Sequence, residues 1–141
     1  MTLLEKAVSI AFEAHKGEKD KAGAPYILHP LRVMFQMETE EEMIAAVLHD
    51  VLEDTAITSD QLREKGFSER LIEAVESVTK RKGEDYEDFV RRAASHPIGK
   101  KVKLADLEDN MDFSRLKSIT DKDLKRLKKY HNALKILKQL R

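Results

Sequence analysis

Cysteine is absent from this sequence, which excludes disulfide bonds and thiolate-held metals alike. Any bound metal must rely on nitrogen and oxygen donors, supplied by Asp, Glu and five histidines. Proline and glycine are scarce, three and five in 141 residues, so few positions force the chain to turn. No apolar run approaches the roughly 18 residues of a membrane-spanning helix, and the first residues lack the apolar core of a secretory signal. A soluble cytoplasmic protein is expected. Charge of one sign is also missing, because 26 Lys and Arg balance 26 Asp and Glu. No global field then draws the chain toward nucleic acid or an anionic membrane. Repeats, low-complexity tracts and Gly/Ser linkers are lacking, so residues 1–141 are expected to form one domain.

What is present is helical periodicity. Between the few interruptions, such as "KGEKDKAGAP" (16–25), "RKGED" (81–85) and "HPIG" (96–99), apolar residues recur at helical spacing and never alternate for long. Thr2 with Glu5, Thr39 with Glu42 and Thr120 with Asp123 mark three helix starts, and Ser68 marks another. The segment 39–54 reads as one continuous helix. The last helix carries Leu124, Leu127, His131, Leu134 and Leu137 as a stripe opposite its lysines. The fold expected is an all-α bundle of six or seven helices.

The neutral total hides an asymmetry. Residues 36–76 hold twelve acidic against three basic side chains, and residues 100–141 hold thirteen basic against six acidic. Two readings fit: an acidic metal pocket beside an anion-attracting wall, or two solvated helix faces.

The stretch "AAVLHDVLEDT" (45–55) sets His49, Asp50, Glu53 and Asp54 in an apolar context. Spacings of three and four put Asp50 with Glu53, Asp50 with Asp54, and His49 with Glu53 on shared helix faces. A buried carboxylate needs a cationic partner or a metal, and no Lys or Arg lies between Arg32 and Arg63. Alone, the His–Asp pair also fits a partnered histidine on a half-exposed helix. Asp106 stands in a second apolar stretch, "KVKLADLEDNMD" (101–112), with Asn110 one turn on. Pro30 disfavours the α region for His29, which places that ring at a loop–helix junction, presented rather than packed. His29, His49, Asp50 and Asp106 supply two imidazoles and two carboxylates. This set suits Mn2+, with Fe2+ or Zn2+ as alternatives, and leaves positions open for water and substrate.

The stretches "AHKGEKDKAGAPYILHPLRV" (14–33), "AAVLHDVLEDT" (45–55), "VESVTK" (75–80), "VKLADLEDNM" (102–111) and "KYHNAL" (129–134) are collinear along nearly the whole chain. In them the sequence resembles HD-domain metal-dependent phosphohydrolases, and within these the (p)ppGpp hydrolase domain of RelA/SpoT proteins and the stand-alone metazoan SpoT-homologue type of small alarmone hydrolase. The resemblance implies Mn2+ held by His29, His49, Asp50 and Asp106. It implies hydrolytic work by Glu53 and Asp54, and a substrate pocket containing Lys21, Asn110 and Tyr130. The substrate implied is guanosine 3′,5′-bis(diphosphate), losing its 3′-pyrophosphate. With no synthetase region after residue 141, a degrading enzyme is expected.

Glu53 is expected to move the proton and Asp54 to support it, with the reverse order also open. Lys21 is read as a phosphate contact or a solvated loop residue, Tyr130 as a stacking or a core tyrosine, and Asn110 as a sugar contact or a backbone cap. His15 is read as structural and His96 as a helix start. The basic last helix lacks interleaved aromatics and glycine, so no nucleic-acid partner is expected. Two departures from the resembling pattern bear on specificity. Asp20–Lys21 stands where Arg–Lys is usual, and "LADLEDNM" replaces "LADRLHNM", with Leu107 and Asp109 for Arg and His. A different nucleotide or phosphoester is one alternative substrate class. A catalytically silent metal- or nucleotide-binding module is another.

Overall fold

A computed structural model describes residues 1–140. The described residues run through nine α-helices in order: α1 (Leu3–His15), α2 (Leu28–Phe35), α3 (Glu40–Val47), α4 (Val51–Asp54), α5 (Ser59–Glu64), α6 (Glu69–Ser77), α7 (Tyr86–Ala94), α8 (Pro97–Asn110) and α9 (Asp121–Gln139). Among the described residues there is no strand, only an isolated antiparallel bridge between Lys19 and Pro25. The all-α expectation holds, and the capping boxes at Thr2, Thr39 and Thr120 form, as does the Ser68 cap.

The helix count exceeds the expected six or seven for two physical reasons. First, α2 and α5 are only eight and six residues long, too short to declare a period. Second, the run 39–54 is not one helix. After Val47 the amide of His49 bonds to the Ala46 carbonyl and that of Val51 to Leu48, a tighter pattern that breaks the helix at residues 48–50. The main-chain bonding resumes when the Asp54 amide reaches the Asp50 carbonyl. An unbroken helix keeps adjacent side chains about 100° apart, and the break brings His49 and Asp50 onto one centre.

Helix α3 lies at the heart of the main core, with Ile44, Ala45, Ala46 and Val47 all buried, and it packs against α1, α2, α6 and α8. A second cluster, Val90, Leu107, Ala133 and Leu137, joins α7, α8 and α9. Helix α8 serves both: Val102 and Ala105 enter the first core, and Leu107 enters the second. It also crosses close to α6, where a Cβ on Gly99 would stand 2.1 Å from Ser77 Oγ and 3.0 Å from the Ala93 carbonyl. The apolar stripe expected along α9 is buried only toward its C-terminal end. Leu124 is 52% exposed and His131 is exposed, because the second core ends before it reaches them.

Candidate metal centre

Four donor atoms meet where α2, the α3–α4 turn and α8 converge. Nε2 of His29 lies 2.9 Å from Oδ1 of Asp106 and 3.8 Å from Oδ2 of Asp50. Nε2 of His49 lies 3.0 Å from the same Asp50 oxygen and 3.3 Å from the same Asp106 oxygen. Donors held about 2.0–2.2 Å from a common ion lie about 3–3.5 Å from one another, close to the spacing found. All four residues expected to hold the metal are therefore brought together. His29 departs from expectation in one respect: its ring is packed, at 4% exposure, rather than presented. It sits one residue inside α2, against the rings of Tyr26 and His49 and the α8 carboxylates of Asp106 and Asp109.

The two imidazoles are oriented differently. Nδ1 of His49 lies 2.6 Å from the Ala46 carbonyl, which can only accept, so Nδ1 carries the proton. Its Nε2 is then left facing two carboxylates, buried and without an aligned hydrogen bond. A bare lone pair pointed at carboxylate oxygens is repulsive, and a cation between them removes the conflict. His29 Nδ1 donates to Oδ2 of Asp109 at 2.6 Å, which turns its Nε2 toward Asp106 and Asp50. The donor chemistry fits a divalent ion with nitrogen and oxygen preference.

Burial works against every charge at this site. Against it, Asp50 and Asp106 raise His49 well above the ordinary imidazole range, and hydrogen bonds to Asp106 and Asp109 raise His29. Lys103 and His49 hold Asp106 well below the usual carboxylate range, and His49 lowers Asp50. The pocket thus favours positive charge, for which protons and a metal compete.

The remaining expected residues surround this centre. Asp54 and Glu53, in α4, line a cavity of about 230 Å³ that contains the metal carboxylates and Lys80, Lys103 and Lys129. Burial, then the charges of Asp50 and Glu53, raise Asp54 to about 6. Oε1 of Glu53 accepts the Lys80 amide at 2.8 Å. Asn110 donates to Oδ1 of Asp106 at 3.0 Å, so it supports the metal carboxylate rather than capping backbone. Lys21 and Tyr130 line a second, adjoining cavity of about 340 Å³, which also contains Lys19, Arg32, Phe113, Arg115 and Arg126. Tyr130 borders both cavities. His15 is buried against Tyr26, and His96 caps α8 through Nδ1.

Several site residues were not found from sequence. The Tyr26 hydroxyl donates to Oδ2 of Asp50, and Lys103 Nζ reaches Oδ2 of Asp106 at 3.1 Å. Arg32 grips Asp109 through Nε at 2.8 Å and Nη2 at 3.0 Å. A signal did exist: Arg32 follows His29 by three residues, and Asp106 is flanked at three residues by Lys103 and Asp109. The two departures at positions 20 and 107 acquire local explanations. Oδ1 of Asp20 accepts the Ala22 and Ala24 amides at 2.9 Å, so its charge closes the loop. Leu107 packs in the second core, away from both cavities.

Residues 7–110 match the HD domain family model. The chain is 37% identical over 120 residues to a guanosine-3′,5′-bis(diphosphate) 3′-pyrophosphohydrolase of Aquifex aeolicus, an alignment that covers 77% of this chain and 17% of that protein. It is 40% identical over 81 residues to the bifunctional (p)ppGpp synthase/hydrolase SpoT of Escherichia coli, covering 55% and 11%. The chain thus spans a small fraction of the curated relatives it matches. Its fold matches that of a solved metazoan orthologue of SpoT described as hydrolysing ppGpp, with TM-score 0.78 and 23% identity, covering 97% of this chain and 85% of that one. With the family model spanning α2, the His–Asp turn and α8, the chain belongs to the HD-domain family, which implies divalent-metal binding, and its His29–His49–Asp50 cluster offers the donors for such an ion.

Proposed function

We propose that the protein is a cytoplasmic Mn2+-dependent nucleotide phosphohydrolase, with guanosine 3′,5′-bis(diphosphate) as substrate and its 3′-pyrophosphate as leaving group. The observation that carries this reading is a cavity that holds His29, Asp50 and Asp106 together with Glu53 and Asp54, adjoined by a second, basic cavity that shares His29, Asn110 and Tyr130 with it. The first holds Glu53 and Asp54 with three lysines, the second holds Lys19, Lys21 and three arginines with Phe113, and Tyr130 borders both. Relatives named for this reaction support it.

A bound divalent ion at His29, His49, Asp50 and Asp106 would neutralise phosphoryl oxygens and make water a usable nucleophile near neutral pH. The protein's own groups supply the rest. Asp54 lines the cavity beside Asp50 while the Glu53 carboxylate is engaged by the Lys80 amide, and burial, then the charges of Asp50 and Glu53, raise Asp54 to about 6 in the metal-free site, so it is assigned the acid/base role. Glu53 ties down the Lys80 backbone, which makes it a positioning residue, the reverse of the first order considered. Burial, followed by the charges of Lys103 and Lys80, lowers Lys129. A cluster of cations that repel one another takes up an anion favourably, and a departing pyrophosphate fits there. In the adjoining cavity Lys19 and Lys21 are offered to the second diphosphate, with Tyr130 and Phe113 available to stack on the base.

A second reading, a less charged nucleotide, is favoured by one observation. Every arginine on that wall is already paired, Arg32 with Asp109, Arg115 with Asp112 and Arg126 with Asp123. Incubating purified protein and Mn2+ with a nucleotide panel decides between them. Release of pyrophosphate and guanosine 5′-diphosphate from guanosine 3′,5′-bis(diphosphate) supports the first reading. Turnover of other nucleotides alone supports the second, and no turnover with Mn2+ bound supports a binding module.

A further inference from the structure

Asp109 occupies a position that the metal set does not require, yet it is tied into the site by more contacts than any of the expected substrate residues. Its Oδ2 receives the His29 Nδ1 proton at 2.6 Å. Its two carboxylate oxygens receive Arg32 Nε at 2.8 Å and Nη2 at 3.0 Å, a two-pronged grip. Arg115 reaches the Asp109 carbonyl at 3.1 Å and Oδ1 at 3.4 Å. The Asp109 side chain is 13% exposed and that of Arg32 is 32% exposed, so the chain of contacts runs from the cavity wall into the centre.

We propose that Asp109 and Arg32 form a positioning pair that fixes the tautomer and aim of the His29 imidazole and thereby sets the affinity of the centre for its metal. The inference rests on the metal-site reading alone, whatever the substrate. A neutral imidazole has one proton to give. With Asp109 taking it at Nδ1, the Nε2 lone pair is the one turned toward Asp106, Asp50 and His49. A carboxylate behind a metal-ligating histidine also makes the ring a stronger donor. Arg32 holds Asp109 in place from the far side and keeps it ionised. Although burial opposes this, hydrogen bonds from His29 and Arg32 hold the Asp109 carboxyl well below the usual carboxylate range. The pair acts through His29 and touches no reacting atom.

The test measures Mn2+ affinity by paramagnetic resonance of the free ion, without substrate, in the wild type, Asp109→Asn, Asp109→Ala and Arg32→Ala. Asp109→Ala is expected to weaken Mn2+ binding about 10–100-fold, the usual cost of losing such a partner. Asp109→Asn retains an acceptor oxygen and should fall between Asp109→Ala and the wild type. Nitrogen-15 spectra of the Zn2+-loaded protein are expected to show His29 protonated at Nδ1 in the wild type and a mixture in Asp109→Ala. Unchanged Mn2+ affinity with an unchanged His29 signal in a folded Asp109→Ala overturns the proposal, and so does the absence of metal binding by the wild type. If Asp109→Ala does not fold, Asp109→Asn and Arg32→Ala carry the test, and unchanged affinity in both overturns it. Loss of activity on one nucleotide leaves these readouts unaffected, so a wrong substrate assignment is told apart from a wrong positioning pair.

Discussion

His49 and His29 reach the same point, but the regions that deliver them are built differently. His49 and Asp50 sit in the turn that breaks α3 from α4, packed among fully buried apolar residues such as Val47, Leu48 and Val51. The His49 ring is aimed by a backbone carbonyl, that of Ala46, which no side-chain substitution removes. His29 stands at the start of α2, aimed by Asp109 and through it by Arg32, on a wall partly open to solvent. One half of the centre is preorganised by the fold, and the other by charged side chains that mutation can change. The difference shows how one metal site can pair a rigid element with an adjustable one.

The largest effect is expected in the rigid half. Asp50→Ala removes a donor and leaves His49 facing Asp106 alone, so both Mn2+ binding and turnover should be abolished, as equilibrium dialysis and product assay would show. Retained Mn2+ binding in that variant would mean that the α2–α8 half suffices. Next comes Asp54→Asn, which stands outside the donor set. It should keep the metal and lower kcat about 10²–10⁴-fold. A smaller loss than that of Glu53→Gln would return the proton to Glu53.

The overall helical class and most of the helix starts were legible in the sequence because Thr or Ser caps and their partners lie three residues apart. His49, Asp50 and Asp106 stood out because an ionisable group in an apolar run needs an explanation, and His29 because a proline follows it; the fold brings the four together. The break at residues 48–50 was not, since neither glycine nor proline marks it and the switch in hydrogen bonding is imposed by tertiary packing. Tyr26, Lys103 and Asp109 were missed for a related reason: each is an ordinary residue until the fold sets it against a donor. The exposure of Leu124 and His131 on α9 could not be read from periodicity, which says which face is apolar and not how far the core extends.

A third expectation concerns the charge that balances the centre. Lys103→Met leaves Asp106 without its buried cation and should destabilise the metal-free protein by about 3–5 kcal/mol in urea unfolding. Added Mn2+ should recover much of this and bind more tightly than in the wild type, because the centre has lost a competing positive charge. No difference in Mn2+ affinity would detach Lys103 from the metal site.

The smallest expected effect lies in the loop beside the reaction cavity, which is held by charge, as His29 is. Arg92 Nε meets Glu84 Oε2 at 2.9 Å, and Arg92 also donates to the Glu76 and Thr79 carbonyls. Hydrogen bonding to Arg92 lowers the Glu84 carboxyl from 4.5 to about 2. Because the folded value is the lower one, this stabilisation is full above pH 4.5 and is lost as the pH falls toward 2. Glu84→Gln should therefore cost about 1–2 kcal/mol near pH 7 and progressively less below pH 4.5. A pH-independent cost would assign the loss to packing instead.

The most direct test is anomalous diffraction from a crystal of the protein grown with Mn2+. The account predicts one strong peak about 2.0–2.2 Å from Nε2 of His29, Nε2 of His49, Oδ2 of Asp50 and Oδ1 of Asp106. A peak bound only by the carboxylates, or imidazoles turned away from an empty centre, would contradict it.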